Sequence, residues 1–389
     1  MPNYLYSLVY LIPKRTDGPR TVPKGKGIIA RLTLGIVTAV AVWVLSCGTP
    51  LGPGPASWQA RATVDAYFDQ DLFKVAVDGD AVFFPYRPSE ESRTGGIKKY
   101  DNGVITDAYV PALNGAKYAS IVSVAISPQS GWALGYRGYE TGGNNLRYVP
   151  FLVKYGNGVW PAGNELEFER ISEDFPMAVV PVGPDSCYLL GEGRSAVTPK
   201  KLYTYQDGTL TEIPLIEVNT LVYDAAAGVT YSLACKGNRI DVMLSVDGGA
   251  HWTYEGLWAE APVNGYSAGY VAAAVAPGGA LYVFSRTDNP GGTVVYRRTG
   301  IPGSGIYEMC GYYPTGPYAG FASGMAVAND GRVLVVGDET SIYYDGAEWR
   351  EELLPDKNDF WCVAAGASGF YAIGRNGTGS SDTQLFYHP

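Results

Sequence analysis

Arginine returns at one point of a repeated pattern in this 389-residue chain. Arg87, Arg137, Arg194, Arg239, Arg286 and Arg375 each close an apolar run, and one further copy carries Asp338 instead. A guanidinium is a planar fork of five donors that suits carboxylate or phosphate. Six of them on one face would form a cationic ring for an anionic ligand, either a glycan acid or an acidic peptide. The same residues could instead close strand ends and pair with carboxylates of neighbouring loops. Aromatic residues fall in segments expected on that face: Phe175, Tyr318, Phe360 and Trp361, together with Tyr118, Tyr266 and Phe321. Such rings stack on sugars or form a protein-binding hot spot; their alternative role is to pack one repeat against the next.

Catalytic chemistry has less to stand on. There are two histidines, His251 and His388, both in turn or third-strand regions, which leaves little for a histidine base or a metal centre. No GxxxxGK[ST] loop is present to cradle phosphate, and no Cys-x-x-Cys to bind metal or exchange disulfides. No catalytic residue, metal or cofactor is therefore assigned.

A repeat must position these groups. Its clearest copy is Gly324–Trp349: strand, Asn-Asp-Gly turn, strand, short loop, strand, Asp-Gly turn, strand. The leading hairpin occurs seven times, at Lys74–Arg87, Val124–Tyr136, Ala178–Gly193, Leu221–Cys235, Val271–Arg286, Gly324–Asp338 and Cys362–Arg375. A Tyr-ended third strand follows at Tyr100, Tyr155, Tyr205, Tyr296, Tyr344 and Tyr387, with Leu244 in the fourth copy. The spacings are 55, 50, 39, 52, 48 and 43 residues, within the roughly 40–50 of propeller blades. The fold expected is all-β: a seven-bladed propeller of four-stranded antiparallel blades over 58–389. A β-sandwich with a linker, or six or eight blades, are the alternatives. The last copy lacks a fourth strand, and Thr63–Phe68 (TVDAYF) matches Ile105–Val110 (ITDAYV), the fourth strand of the first copy. An N-terminal strand at Thr63–Phe68 is thus expected to close the ring and hide the sheet edge.

Residues 1–46 differ in kind. They hold six Lys/Arg and one Asp, and Leu32–Leu45 is a 14-residue apolar run, the length of a secretory signal core and short for a membrane span. Subtracting this +5 from the chain's −9 leaves −14 for the rest. An acidic body argues against broad nucleic-acid binding. Residues 47–57, with TPLGPGPAS, read as a Pro/Gly tether. Cys187, Cys235, Cys310 and Cys362 fall in different repeats and are expected as buried free thiols.

Two resemblances add to this. Val44-Leu45-Ser46-Cys47-Gly48 resembles the bacterial lipoprotein signal, in which the chain is cut before the cysteine, which carries lipid. It implies an exported protein anchored through Cys47, with an outer membrane or cell surface favoured. Ser245-Val246-Asp247-Gly248-Gly249-Ala250-His251-Trp252 resembles the Asp-box (BNR repeat) of sialidase-like propellers, Ser-x-Asp-x-Gly-x-Thr-Trp, with His251 in the threonine place. There Ser245, Asp247, Gly249 and Trp252 would have a structural task. Sialidase activity would need three arginines, a Tyr–Glu pair and a Phe/Tyr-Arg-Ile-Pro motif. The nearest match to that motif, Tyr86-Arg87-Pro88, lacks the isoleucine. The function expected is a membrane-anchored binding or scaffold module of the cell envelope, recognising an envelope protein or anionic glycan; a sialidase-like hydrolase is the alternative.

Overall fold

The computed structural model describes residues 58–64, 74–87, 92–128, 130–142, 145–168, 176–191, 200–236, 239–257, 268–276, 279–288, 291–301, 303–314, 322–337, 340–354, 359–375 and 383–389. The Cys47 segment, the tether, Arg194, Phe175 and Tyr318 lie outside these residues.

Every named element is a strand, and nearly all pairing is antiparallel between strands in chain order. Three of the turns between third and fourth strands show why. Asn102-Gly103, Asn157-Gly158 and Asp207-Gly208 all have positive φ at both residues, the paired left-handed conformation of the tightest hairpins. Five sheets of four strands stand separately, covering 176–218, 220–257, 268–314, 322–353, and 359–388 with the strand Gln59–Val64. The first two four-stranded meanders, 76–109 and 118–167, form one eight-stranded sheet, joined by parallel pairing of Thr94 with Ala119 and Gly95 with Ser120. The expectation of seven separate blades is corrected here: five are separate and two meanders are fused.

Two glycines permit the close strand approach here, Gly95 at the junction with the second meander and Gly96 within the first. A Cβ on Gly95 would sit 2.5 Å from Ser120 Oγ and 2.7 Å from the Tyr86 carbonyl oxygen, and one on Gly96 would collide with the Tyr109 carbonyl. Gly96→Ala should therefore lower stability by about 1–3 kcal/mol through forced backbone shifts, read as a drop in the urea midpoint. Gly79→Ala is the reference for loss of a glycine where no neighbour intrudes, since nothing lies within 4 Å of a Cβ there and only its positive φ resists the change. A Gly96→Ala midpoint equal to wild type would contradict the close approach.

Second strands are mostly apolar because both faces are covered. Val333 and Val335 face one neighbouring sheet, Leu334 and Val336 the other, and all four are buried. Core clusters accordingly lie between consecutive meanders. Tyr231, Leu233 and Val242 meet Leu281, Val283 and Val294. Phe83 and Ile97 meet Val124, Ala133 and Phe151, so even the two fused halves pack face to face. First strands follow one another in space: Ala76–Asp78 beside Tyr118–Ile126, then Pro176–Gly183, Thr220–Asp224, Ala268–Val275, Ala322–Val327 and Asp359–Ala365, which returns to Ala76–Asp78.

The closing strand is Gln59–Val64, antiparallel to Thr383–His388, with Gln59 opposite Tyr387 and Val64 opposite Thr383. This corrects the expected Thr63–Phe68: pairing begins four residues earlier. The register is set by Trp58, whose indole donates to Ser341 Oγ at 3.2 Å and meets Phe360 edge-on at 4.6 Å. Sequence likeness to another fourth strand carries no information about that long-range anchor. Cys187 and Cys362 are buried free thiols and Cys310 a partly buried one; burial pushes the Cys310 and Cys362 thiols up to about 12. The Cys235 side chain lies outside the description.

Candidate functional site

Loops joining second to third strands open on the face where the arginines were expected. The second meander dominates it. Its second and third strands, Gly131–Gly142 and Asn145–Tyr155, have 12 and 11 residues, whereas among the described residues no other second strand exceeds eight. Four extra residues carry this hairpin roughly 13 Å further, at about 3.3 Å per residue.

Arg137 lies inside this hairpin rather than at its end, and it is fully buried. Its Nε donates to the Ala112 carbonyl at 2.8 Å, its Nη1 pairs with Glu167, and its Nη2 lies 3.4 Å from Glu165. The guanidinium also stands 4.7 Å from the Phe151 ring centroid. Tyr109 donates to Glu165 at 2.7 Å. Burial works to raise the Glu165 carboxyl, yet the Tyr109 hydroxyl, backbone amides and the Arg137 charge hold it below the usual range. Burial, then the bond to Glu165, pushes the Tyr109 phenol far up. Arg137 thus has its own carboxylates, and this corrects its place in a ligand-binding ring. The sialidase-like alternative asks for three free arginines beside a Tyr–Glu pair; here a Tyr–Glu pair exists beside one arginine, and both carboxylates engage it.

The other expected residues scatter. Arg87 ends the second strand of the first meander and is half-buried. Arg286 and Arg375 lie on second strands as expected, opposite Thr293 and Thr383, while Arg239 begins a third strand, opposite Lys236; the side chains of these three are outside the description. Phe360 is fully buried against Trp58 and Phe386, so it is core. Trp361 packs at the edge of the cluster between the last and first meanders.

The 245–252 hairpin is built around its polar side chains. Ser245 Oγ donates to Asp247 Oδ1 at 2.8 Å and accepts from the Gly249 amide at 2.8 Å. Asp247 accepts the His251 amide at 2.9 Å and faces His251 Nδ1 at 2.6 Å, while Trp252 Nε1 donates to the Gly249 carbonyl at 3.1 Å. The His251 amide, the His251 ring and the Ser245 hydroxyl together lower the Asp247 carboxyl to about 2. The folded value lies below the ordinary 3.8, so the ionised form favours the fold above about pH 4, and that contribution is lost as pH falls towards 2. Asp247→Asn should consequently be less stable than wild type at neutral pH, and the gap should close between pH 4 and pH 2. A pH-independent gap in the melting temperature would contradict this. The His251 ring thus meets the same aspartate as its own backbone amide.

A second buried ion pair was not foreseen. Arg298, on the third strand of the 268–314 sheet, and Glu255, at the end of the neighbouring sheet, expose 2% and 0% of their side chains. Nε donates to Oε2 at 2.6 Å and Nη2 to Oε1. The Gly300 and Ile301 carbonyls accept from Arg298 at 3.1 and 2.9 Å, and the Gly303 amide and Tyr307 hydroxyl donate to Glu255 at 2.8 and 3.0 Å. Burial pushes the Glu255 carboxyl up, but these donors bring it below the usual range. A third pair, His388 Nε2 to Glu352 Oε2 at 2.9 Å, links the last two sheets. The signal for both was two charged residues in third and fourth strands of adjacent repeats, which sequence alone cannot pair. Among the described residues no cluster of three or more His, Cys, Asp or Glu could hold a metal ion.

No protein-family model matches the chain, nor does any curated protein. Solved structures do. The β-propeller domain of Cps50 (Swd1) from Myceliophteria thermophila aligns with a TM-score of 0.55 at 8% identity, over 85% of this chain and 99% of that one. YCF48 from Cyanidioschyzon merolae aligns with 0.51 at 13%, over 86% and 99%. A chain of the mitotic checkpoint complex gives 0.53 at 11%, over 88% and 98%. At such identities the likeness is one of fold: the chain is an all-β propeller built of four-stranded antiparallel blades.

Proposed function

We propose that this propeller is a binding or scaffold module of a bacterial cell envelope, exported and anchored through lipid on Cys47, with a protein partner on its loop face. The eight-stranded sheet counts in this reading as two blades, giving a ring of seven; the face-to-face packing of its halves supports that count. The observation that carries the function is the projecting 131–155 hairpin braced at its root by Arg137, Glu165 and Glu167. A rigid, protruding polar hairpin is a recognition element, and its strongest charges are spent on holding shape rather than on reacting atoms. The resemblance at 44–48 supports the anchor, and the Pro/Gly tether would hold the ring clear of the membrane.

The test uses the full chain expressed in a Gram-negative host, beside Cys47→Ala. Mass spectrometry of the N-terminal peptide should find acyl chains on Cys47, and the variant should leave the membrane fraction. Crosslinking from a cysteine placed at Thr141 should then yield one dominant protein adduct. An unmodified Cys47 would remove the anchor, and turnover of a sialoside by the purified chain would replace the scaffold reading with the hydrolase one.

A further inference from the structure

We propose that the face opposite the long hairpin, where the turns between third and fourth strands lie, meets a lipid surface through the apolar tips Val104, Val159, Val246, Ile301 and Ile306. This rests on the lipid-anchor reading and gives the ring an orientation, with the loop face pointing away from the membrane.

Among the described residues these are the five most exposed large apolar side chains, at 59, 57, 63, 74 and 62%. Single exposed apolar residues are ordinary, but these five share one face. Val104 and Val159 follow the turns Asn102-Gly103 and Asn157-Gly158, and Val246 lies in the 245–252 hairpin. Ile301 lies in the 300–305 connection and Ile306 opens the strand after it. Antiparallel succession puts every such turn at the end of its meander opposite the loops joining second to third strands. The tips are stiff. Ser245 and Asp247 bond each other on either side of Val246. The Ile301 carbonyl accepts from Arg298 Nη2 at 2.9 Å and from the Ser304 amide at 3.1 Å. Contact therefore orders little that is not already fixed.

The direction of the closing strand says what covers this face. Thr383–His388 runs from the loop face to the turn face, and Gln59 stands opposite Tyr387 near its end. The chain before Trp58 therefore departs from the turn face. Ten residues separate Trp58 from Cys47, about 36 Å at full extension. The tether keeps the body of the ring clear of the membrane, and the turn tips are the part that reaches it. A covalent anchor raises the effective concentration at the surface, so weak apolar contacts suffice. The tips of the first and second meanders stand across the ring from those of the fourth and fifth, so contact on both sides keeps the face level. Charge near the tips is largely matched within the turns. Asp101 is held by Lys99 at 2.7 Å, Asp247 faces His251 at 2.6 Å, and Asp345 and Glu348 share Arg350. Asp207 pairs with no cation among the described residues, and its turn carries Thr209 where others carry valine. The acidic body, −14 over residues 47–389, favours zwitterionic over anionic lipid.

The test places an environment-sensitive fluorophore on a cysteine at Ile306 of the full chain, reconstituted in vesicles of phosphatidylcholine and phosphatidylethanolamine that carry a headgroup quencher. A label at Thr141 is the loop-face control, and the parent chain taken through labelling gives the background of Cys310. The Ile306 label should be blue-shifted and quenched, and the Thr141 label neither. Val104→Ser/Val159→Ser/Val246→Ser/Ile301→Ser should lose that quenching, and Val104→Ser/Val159→Ser should lose part of it. Both should melt with wild type, as exposed positions do. Added phosphatidylglycerol should weaken the quenching. Equal quenching at Ile306 and Thr141 overturns the proposal, as does a quadruple variant equal to its parent. Quenching in native envelope membranes but not in protein-free vesicles also overturns it and assigns the tips to a membrane protein. If Cys47 is acylated and the Ile306 label stays unquenched, the anchor reading stands and this surface falls; if Cys47 carries no acyl chain, both fall.

Discussion

Arg298→Ala is expected to destabilise the protein by about 3–5 kcal/mol, the usual cost of removing one partner of a buried ion pair. Glu255 would remain at 0% side-chain exposure with its countercharge gone. The Gly300 and Ile301 carbonyls would lose their donors, and the 300–305 connection would lose its staple. Arg298→Lys should recover only part, because an ammonium cannot make the two-pronged contact that Nε and Nη2 make with Glu255. The double change Arg298→Met/Glu255→Leu should return most of the loss, since neither charge is then buried alone. Urea unfolding checks the ordering of the three variants. Hydrogen exchange at the Gly303 amide, which donates to Glu255 Oε1 at 2.8 Å, reports locally. It should accelerate in Arg298→Ala ahead of exchange in the neighbouring strands. A single variant within about 0.5 kcal/mol of wild type, the range of ordinary surface changes, would mean the pair is not closed to water.

The contrast between Arg137 and Arg87 shows what the sequence could and could not disclose. Both follow apolar hairpin strands, and both were grouped by that position. Hairpin rhythm is local: Asn102-Gly103 and Asp207-Gly208 specify their turns through their own φ preferences, and Val333–Val336 reveal a strand covered on both faces. Those features were legible, and with them the propeller. Whether an arginine meets water or a carboxylate is not local. Arg137 finds Glu165 and Glu167 at the end of its own meander and the Ala112 carbonyl from the preceding connection, a meeting decided by how two meanders pack. The fusion of those meanders was invisible for the same reason, since it depends on Gly95 approaching Ser120 on a strand of the next meander. Phe360 failed as a surface aromatic because its place was assigned from a loop expectation, whereas Asp359–Ala365 is a first strand with Phe360 turned into the core.

Trp58→Ala should open the seam between the last sheet and its N-terminal strand. Trp58 is buried in a cluster with Phe360, Phe370 and Phe386, and its indole meets His388 edge-on at 5.1 Å. Truncating a buried tryptophan costs about 3–5 kcal/mol, and here Ser341 Oγ also loses the indole donor. The loss should concentrate where the strand is held. Gln59–Val64 contributes few large apolar groups of its own: Val64 is buried, Gln59 and Ala60 are exposed, and Arg61 lies over the Tyr387 ring at 4.6 Å. Without Trp58, that segment has little beyond its backbone ladder to keep it against Thr383–His388. Once it leaves, the third strand becomes a free edge, and the buried His388–Glu352 pair loses its cover. Amide exchange at Thr383–His388 should therefore rise well before exchange at Val333–Gly337, and limited proteolysis should cut near residue 64 first. Arg61→Ala should shift stability by only about 0.5–1 kcal/mol, the size of an exposed cation–π contact. If Trp58→Ala instead lowers protection evenly across all sheets, the N-terminal strand is a cooperative part of the ring rather than a latch upon it.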